Sequence, residues 1–187
     1  MKTAVIFASG EGTNAENLIA YFKNNPKIKF KYVITNNEEA GVIKRAEKLN
    51  KSIHIISKKA LNEYTDQIID FLKGENIDLI ILAGFLLKIP EKLVKSFPNQ
   101  IINIHPSLLP KYGGKGMHGM NVHKAVIENK EKKSGITIHY VNEEYDKGAI
   151  IAQFECEILS SDNADDLVKK IRALELKHFP EVVETLL

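Results

Sequence analysis

Asn103 and His105 stand two residues apart in Asn103-Ile104-His105-Pro106-Ser107-Leu108-Leu109-Pro110, where an apolar, strand-like run from Gln100 gives way to a segment rich in Gly and Pro. Side chains two apart on a strand share a face. An amide and an imidazole are therefore aimed at one point, where the strand ends. That pairing can hold a developing oxyanion and move a proton. A strand-end histidine satisfied by backbone groups fits the same spacing. What the pair does depends on the residues that join it from elsewhere in the chain.

A second chemical pattern follows the first apolar run: Ser9-Gly10-Glu11-Gly12-Thr13-Asn14-Ala15. Gly10, Gly12 and Ala15 meet the G-x-G-x-x-[GA] spacing between a strand and a helix. Glycines there allow a tight turn and close approach of a ligand to the backbone. The helix that follows offers N–H groups and a positive dipole end to a phosphate. A purely structural turn is the plain alternative. A dinucleotide site would also need an acidic residue about 20 positions on, which Glu38 or Glu39 could supply. The second strand instead ends in Asn36-Asn37, the glycine pattern is degenerate, and an NAD(P)-binding oxidoreductase leaves Asn103 and His105 without a task.

The scaffold for both patterns is an alternation of strand and helix signals. Strands are predicted over residues 3–8, 28–35, 52–56, 77–83 and 100–105. Helices are predicted over 14–23, 40–50, 61–73 and 91–96, each with apolar residues recurring at helical spacing. The run 77–83 is almost wholly apolar, as a parallel strand buried on both faces should be. The segment 106–120 reads as a long loop, and long loops inside a compact domain are usually functional. A helix over 121–130 comes next. Strands over 135–141 and 149–158 suit an antiparallel hairpin, and a last helix over 165–187 takes Ser161 or Asp162 as its cap. The expected fold is α/β: a three-layer Rossmann-like arrangement, mostly parallel, of about seven strands with an antiparallel hairpin near the C-terminal end.

At 187 residues and 44% hydrophobic content, a single globular domain over 1–187 is expected. A net charge of +2 does not suggest a nucleic-acid partner. The basic run 130–133 reads as a solvated helix end. One cysteine, Cys156, permits no intrachain disulfide and no cysteine metal cluster, so a reducing, cytoplasmic compartment is expected. No apolar run approaches the roughly 20 residues of a membrane span, so no membrane partner is expected. His54, His118, His123 and His178 have no assigned role, and no metal site is expected.

Taken together, the motifs resemble the phosphoribosylglycinamide formyltransferases, a family of the folate-dependent formyltransferase superfamily. The resemblance runs end to end. It rests on Gly10-Glu11-Gly12-Thr13-Asn14, Leu82-Ala83-Gly84-Phe85, and Asn103 through Gly114. It continues through Gly135-Ile136-Thr137-Ile138-His139, Tyr145-Asp146-Lys147-Gly148, and Glu175 before Phe179-Pro180. Relatives that act on methionyl-tRNA carry an added C-terminal domain, and relatives that hydrolyse formyltetrahydrofolate carry an added N-terminal one. Neither is expected here.

The resemblance implies formyl transfer from 10-formyltetrahydrofolate, a co-substrate, to the amine of glycinamide ribonucleotide in purine synthesis, with neither metal nor NAD. It gives His105 the role of general acid and oxyanion partner, Asn103 that of amide donor, and Asp146 that of the carboxylate beside His105. By spacing alone Asp146 is a turn aspartate. His139 takes a supporting role. The nucleotide is assigned to Gly12, Thr13, Asn14 and Glu175. Folate is assigned to Leu86, Leu87, Lys88, Ile89 and Asn103, and to Asn142, Glu143, Glu144, Tyr145 and Asp146. The partners implied are small molecules, with a homodimer left open. Two positions depart from the pattern: Leu87 and Leu61 stand where relatives carry basic residues, and Lys58 or Lys59 can stand in for the second. A non-catalytic phosphosugar-binding domain of the same fold is the remaining alternative, and Asn103, His105 and Asp146 together argue against it.

Overall fold

The most apolar strand segments of the chain become the middle of its sheet. In the computed structural model, which describes residues 1–187, two compact units form: Met1–Asn103 together with Leu187, and Ile104–Leu186. The first unit runs β1 (Lys2–Phe7), α1 (Thr13–Tyr21), β2 (Ile28–Thr35), α2 (Gly41–Lys48), β3 (Ser52–Ile55), α3 (Lys58–Glu63), α4 (Thr65–Gly74), β4 (Leu79–Leu82) and α5 (Glu91–Ser96). Strand β5 (Ile101–His105) ends it, with its last two residues in the second unit. The second unit continues with α6 (Met120–Glu128), β6 (Lys133–Tyr140), β7 (Ile150–Glu157) and α7 (Ala164–Thr185).

The strand order is β3-β2-β1-β4-β5-β6-β7. Strand β1 pairs in parallel with β2 and β4, β2 with β3, and β4 with β5, whereas β6 pairs antiparallel with β7. Residues 4–7 of β1 and the whole of β4 are buried, as parallel strands with both faces covered must be. The edge strands β3 and β7 alternate or expose their side chains instead. The order runs outward from β1 through β2 to β3, then outward from β4 to β5. That reversal is a topological switch point. In open α/β sheets, ligands bind beyond the carboxyl ends of the strands that flank such a point. Strand β1 leads there into residues 8–12 and β4 into residues 83–90.

Two elements differ from the sequence expectation. The single helix expected over 61–73 is two. Ser57 caps α3 by accepting a hydrogen bond from the Ala60 N–H, 3.1 Å away. Tyr64, at φ −115°, breaks the helix before the Tyr64 carbonyl restarts it by accepting from the Ile68 N–H. Apolar periodicity runs through both pieces and hides the break. The cap of α7 is Asn163, not Ser161 or Asp162. Its Oδ1 accepts from the N–H groups of Asp165 (2.8 Å) and Asp166 (3.0 Å), and Asp166 returns a bond to the Asn163 N–H. Asp162 is otherwise engaged, bonding the Leu159 N–H and pairing with Lys170. No helix is long and apolar enough to cross a membrane.

Candidate active site

In the first unit the glycine turn sits where the switch point requires it. Gly12 caps α1 at φ +73°, in the left-handed region, and its carbonyl accepts the first helical bond from the Glu16 N–H. The first turn of α1, Thr13 to Ala15, thus presents N–H groups at the helix start, the arrangement that receives an anion. Helix α2 holds the turn in place. The Val42 N–H donates to the Gly10 carbonyl (3.0 Å), the Arg45 Nε–H donates to the Glu11 carbonyl (2.7 Å), and the Arg45 guanidinium pairs with Glu16.

A side chain at Gly12 would not enter ligand space, as a phosphate-binding glycine suggests. Its Cβ would lie 2.4 Å from Val42 Cγ2 and 2.7 Å from Val42 Cα, inside α2. The glycine is required both by its φ and by the approach of α2. Gly12→Val is therefore expected to disturb the fold as well as the turn. Adopting the left-handed region costs about 1–2 kcal/mol, and each kcal/mol shifts Tm by roughly 2–4 °C at this size. We expect a Tm loss of at least about 2 °C by calorimetry, together with weakened phosphate binding. An unchanged Tm would mean that α2 does not press on the turn.

The segment after β4 is tied to the same strand end. The Ser9 N–H donates to the Gly84 carbonyl (3.0 Å), the Leu86 N–H donates to Ser9 Oγ (2.9 Å), and Ser9 Oγ bonds Asn36 Oδ1. Leu86 is 50% exposed here, Leu87 is half-buried and Lys88 is exposed. Ile89 is buried, so its side chain supports the segment from beneath rather than offering it a surface. Leu61 is fully buried in α3, while Lys58 and Lys59 of the same helix are exposed.

In the second unit, three residues from three places meet. His105 ends β5, His139 lies near the end of β6, and Asp146 sits in the loop between β6 and β7. His105 Nδ1 is 3.6 Å from Asp146 Oδ2, and His139 Nε2 is 3.7 Å from Asp146 Oδ1. Both rings are buried. His105 Nε2 lies 2.8 Å from the Tyr112 carbonyl. A carbonyl only accepts, so Nε2 carries the proton and Nδ1 of the neutral ring is a lone pair facing a carboxylate. A proton placed on Nδ1 converts that opposition into an ion pair. The gap between Nδ1 and Oδ2 is thus a place where a proton can be taken up and given back.

Asp146 adopts φ +54°, and its Oδ2 also accepts from the Gly114 N–H at 2.8 Å. The adjacent Gly113 packs close to the carboxylate: a Cβ there would lie 2.5 Å from Leu109 Cδ2 and 3.2 Å from Asp146 Cβ, so both neighbours would have to shift. Burial pushes the Asp146 carboxyl up, but the His139 ring, the His105 charge and the Gly114 N–H outweigh it and hold the group below its ordinary value. For His105, burial is the largest influence and lowers its pKa. Asp146 and the Tyr112 carbonyl oppose that without reversing it, and His139 adds to the lowering. In the free site His105 is therefore neutral at pH 7, not the standing imidazolium that a neighbouring carboxylate alone suggests.

Two residues that brace the backbone beyond His105 escaped the sequence reading. Thr137 Oγ1 donates to the Ser107 carbonyl (2.7 Å) and accepts from the Leu109 N–H (3.0 Å), while Gln153 Nε2 donates to the Leu109 carbonyl (2.9 Å) and to Thr137 Oγ1 (2.9 Å). This network ties residues 107–109, just beyond His105, to the hairpin, where Thr137 and Gln153 are register partners. A period of two was the available signal: Thr137 and His139 share a face of β6. Asn103 lies on β5 opposite Leu82 of β4, two residues before His105, and is half-buried. Asn142 and Glu143 are half-buried, and Glu144 and Tyr145 are exposed, on the loop that carries Asp146. Glu175 is half-buried on α7.

His123 of α6 is also buried, and its Nδ1 has no hydrogen-bond partner. Burial, followed by the His105 charge, lowers its pKa. His105 and His123 therefore resist protonation in the fold, whereas in the unfolded chain they titrate near about 6.5. Below that pH the unfolded state binds more protons, so stability should fall as pH drops from about 6.5 toward the folded-state values. Thermal unfolding between pH 7.5 and 5.5 should show this loss, and His123→Gln should make the dependence shallower. An identical pH slope in the variant would mean that His123 is not held neutral by the fold.

Strand order, switch-point glycine turn and a buried His-Asp-His cluster define a doubly wound α/β enzyme scaffold. The formyl transferase family model matches residues 1–183, and the chain belongs to that family. It is 35% identical to a Bacillus subtilis phosphoribosylglycinamide formyltransferase over 100% of this chain and 95% of that protein. It is 39% identical to a chloroplastic phosphoribosylglycinamide formyltransferase of Vigna unguiculata over 99% of this chain, and there it spans 61% of the relative's length. Against a chloroplastic Arabidopsis thaliana relative it spans 53% of the length. A crystal structure of phosphoribosylglycinamide formyltransferase from Bacillus halodurans superposes with a TM-score of 0.90 at 33% identity, covering 99% of this chain and 95% of that one.

Proposed function

We propose that this chain transfers a formyl group from 10-formyltetrahydrofolate to the amine of glycinamide ribonucleotide, working as one catalytic domain over 1–187. The observation that carries the reading is the His105–Asp146 pair with its proton slot, at the end of the strand that bears Asn103. The relatives' names supply the substrate.

The neutral amine attacks the formyl carbon. The C–N bond forms as the carbonyl π electrons move to oxygen, which gives a tetrahedral adduct with an oxyanion. Asn103 donates its amide N–H to that oxygen, and the His105 ring supplies the positive charge that it requires. The developing anion adds to the field of Asp146, so a ring that is neutral in the free site takes up a proton as the adduct forms. The amine nitrogen loses a proton and N10 of the folate gains one as its bond to carbon breaks, so no proton is consumed overall. Asp146 and His105 relay it. No covalent enzyme intermediate is needed, and positioning two substrates supplies much of the rate.

The phosphate rests on Gly12, Thr13 and Asn14 at the start of α1, and Glu175 contacts the rest of the nucleotide. Folate lies along Leu86, Leu87 and Lys88, above Ile89, and along Asn103 and the loop from Asn142 through Glu143, Glu144 and Tyr145 to Asp146. His139 steadies Asp146. The protein acts in the cytoplasm on small molecules, without NAD or a metal. The test is an assay of the purified protein with 10-formyltetrahydrofolate and, in turn, glycinamide ribonucleotide, methionyl-tRNA and water as acceptors, with NAD binding measured alongside. Formyl transfer to glycinamide ribonucleotide alone supports the reading. Transfer only to another acceptor, or NAD binding without transfer, would overturn it.

A further inference from the structure

Tyr112, whose carbonyl fixes the His105 ring, has a backbone that its own residue type does not favour. Its φ is +57°, in the left-handed region, where a bulky residue is an outlier. Such a conformation persists where its surroundings over-determine it. The surroundings are unusually specific. Glu131 Oε1 accepts from Lys111 Nζ at 2.8 Å and from the Tyr112 hydroxyl at 3.0 Å, so one carboxylate oxygen grips two successive side chains. Ser107 Oγ donates to the Lys111 carbonyl at 2.7 Å from the other side. Glu131 itself is anchored by its N–H to the Val126 carbonyl, at the end of α6. Its side chain is only 25% exposed, against 67% for Lys111. The Glu131 carboxyl is held below its ordinary value by Lys111 and then Tyr112, while burial and Glu131 raise the Tyr112 hydroxyl. The anion and the proton on its phenol donor are therefore both kept across the working pH range.

We propose that Glu131 is a positioning residue for His105: by gripping Lys111 and Tyr112 it holds the Tyr112 carbonyl on His105 Nε2 and so keeps the proton-free nitrogen, Nδ1, toward Asp146. The chain of contacts is Glu131 to the Tyr112 hydroxyl, Tyr112 carbonyl to Nε2, and Nδ1 to Asp146. Without the grip, the left-handed Tyr112 relaxes, its carbonyl leaves Nε2, and the neutral ring moves its proton to Nδ1, where the carboxylate is the better acceptor. The ring would then enter the reaction with its proton slot already filled. The geometry stands by itself, and its consequence for rate rests on the function proposed above.

The test reads the ring directly. The ¹⁵N signals of His105 at a pH where it is neutral separate the Nε2–H from the Nδ1–H tautomer, with assignment from the spectrum of His105→Gln. Wild type is expected to show Nε2–H. Glu131→Ala and Tyr112→Phe should each shift the signals toward Nδ1–H, and Glu131→Gln, which keeps an acceptor, should largely restore them. The kcat for formyl transfer should fall about 10-fold in the first two variants, the scale of one hydrogen bond to a charged group, with the KM for the nucleotide within about twofold. The double variant should be no worse than either single one, as expected of residues acting through one contact. Tyr112→Phe removes one hydroxyl only and serves if Glu131→Ala does not fold. Unchanged nitrogen signals in folded Tyr112→Phe or Glu131→Ala would overturn the proposal whatever the activity does. Signals that shift as expected in a protein lacking formyl transfer to glycinamide ribonucleotide would support the positioning role and sink the proposed reaction instead.

Discussion

Asn103→Ala should lower kcat by roughly 10²–10³, the usual effect of removing one donor to an oxyanion, and leave nucleotide binding nearly intact. The side chain is half-buried at the end of a strand whose pairing with β4 is made by backbone groups, so truncation removes a donor and little packing. His105→Ala should be at least as severe in rate. It should also cost stability, because the ring is buried and its loss removes the hydrogen bond that the Tyr112 carbonyl makes with Nε2 at 2.8 Å. Single-turnover rates with saturating substrates separate the two effects, since a merely unstable variant recovers its rate on cooling and a variant lacking the chemical group does not. Near-wild-type kcat in both variants would place the chemistry elsewhere in the molecule.

How much of this was legible in the sequence depends on the range of the interaction concerned. Local periodicity placed every strand to within two residues, and the apolar run 77–83 announced β4 as a buried parallel strand. Asn103 and His105 were readable together because a strand's period of two is local information. The carboxylate was not. Asp146 lies 41 positions beyond His105 in the chain, and only the resemblance tied them, because nothing in a turn aspartate states which histidine it will meet. The helix over 61–73 failed for a related reason. Its break at Tyr64 is a backbone angle, and the apolar pattern does not register it. The sequence pattern at Gly12 marked a glycine that the fold also requires for a second reason. Phosphate approach is a general explanation for that pattern, whereas the crowding by Val42 is tertiary and visible only in the fold. The Glu131 grip on Lys111 and Tyr112 spans 20 and 19 positions and joins residues that each look like ordinary surface groups.

Asp146→Asn should lower kcat by roughly 10²–10⁴, the range of general acid–base contributions, and lower the His105 pKa further below its ordinary value. Burial already depresses that pKa, and the Asp146 carboxylate is the largest influence opposing it. An amide carries no charge to oppose burial. The oxygen that accepts from the Gly114 N–H is the one that faces Nδ1, so the amide oxygen stays there, the NH₂ turns toward His139, and the ring loses a charge without gaining a donor. If protonated His105 is the species that meets the oxyanion, the alkaline limb of the kcat profile must move to lower pH with the ring. NMR titration of the His105 ring protons in wild type and variant gives the pKa, and the pH–rate profile gives the limb. A stable fold is expected, because the amide oxygen can still accept from the Gly114 N–H that the carboxylate holds at 2.8 Å. A ring that titrates as before, in a variant that retains its activity, would leave Asp146 as a hairpin-loop residue. The proton relay would then pass to another group that reaches the same substrate atoms.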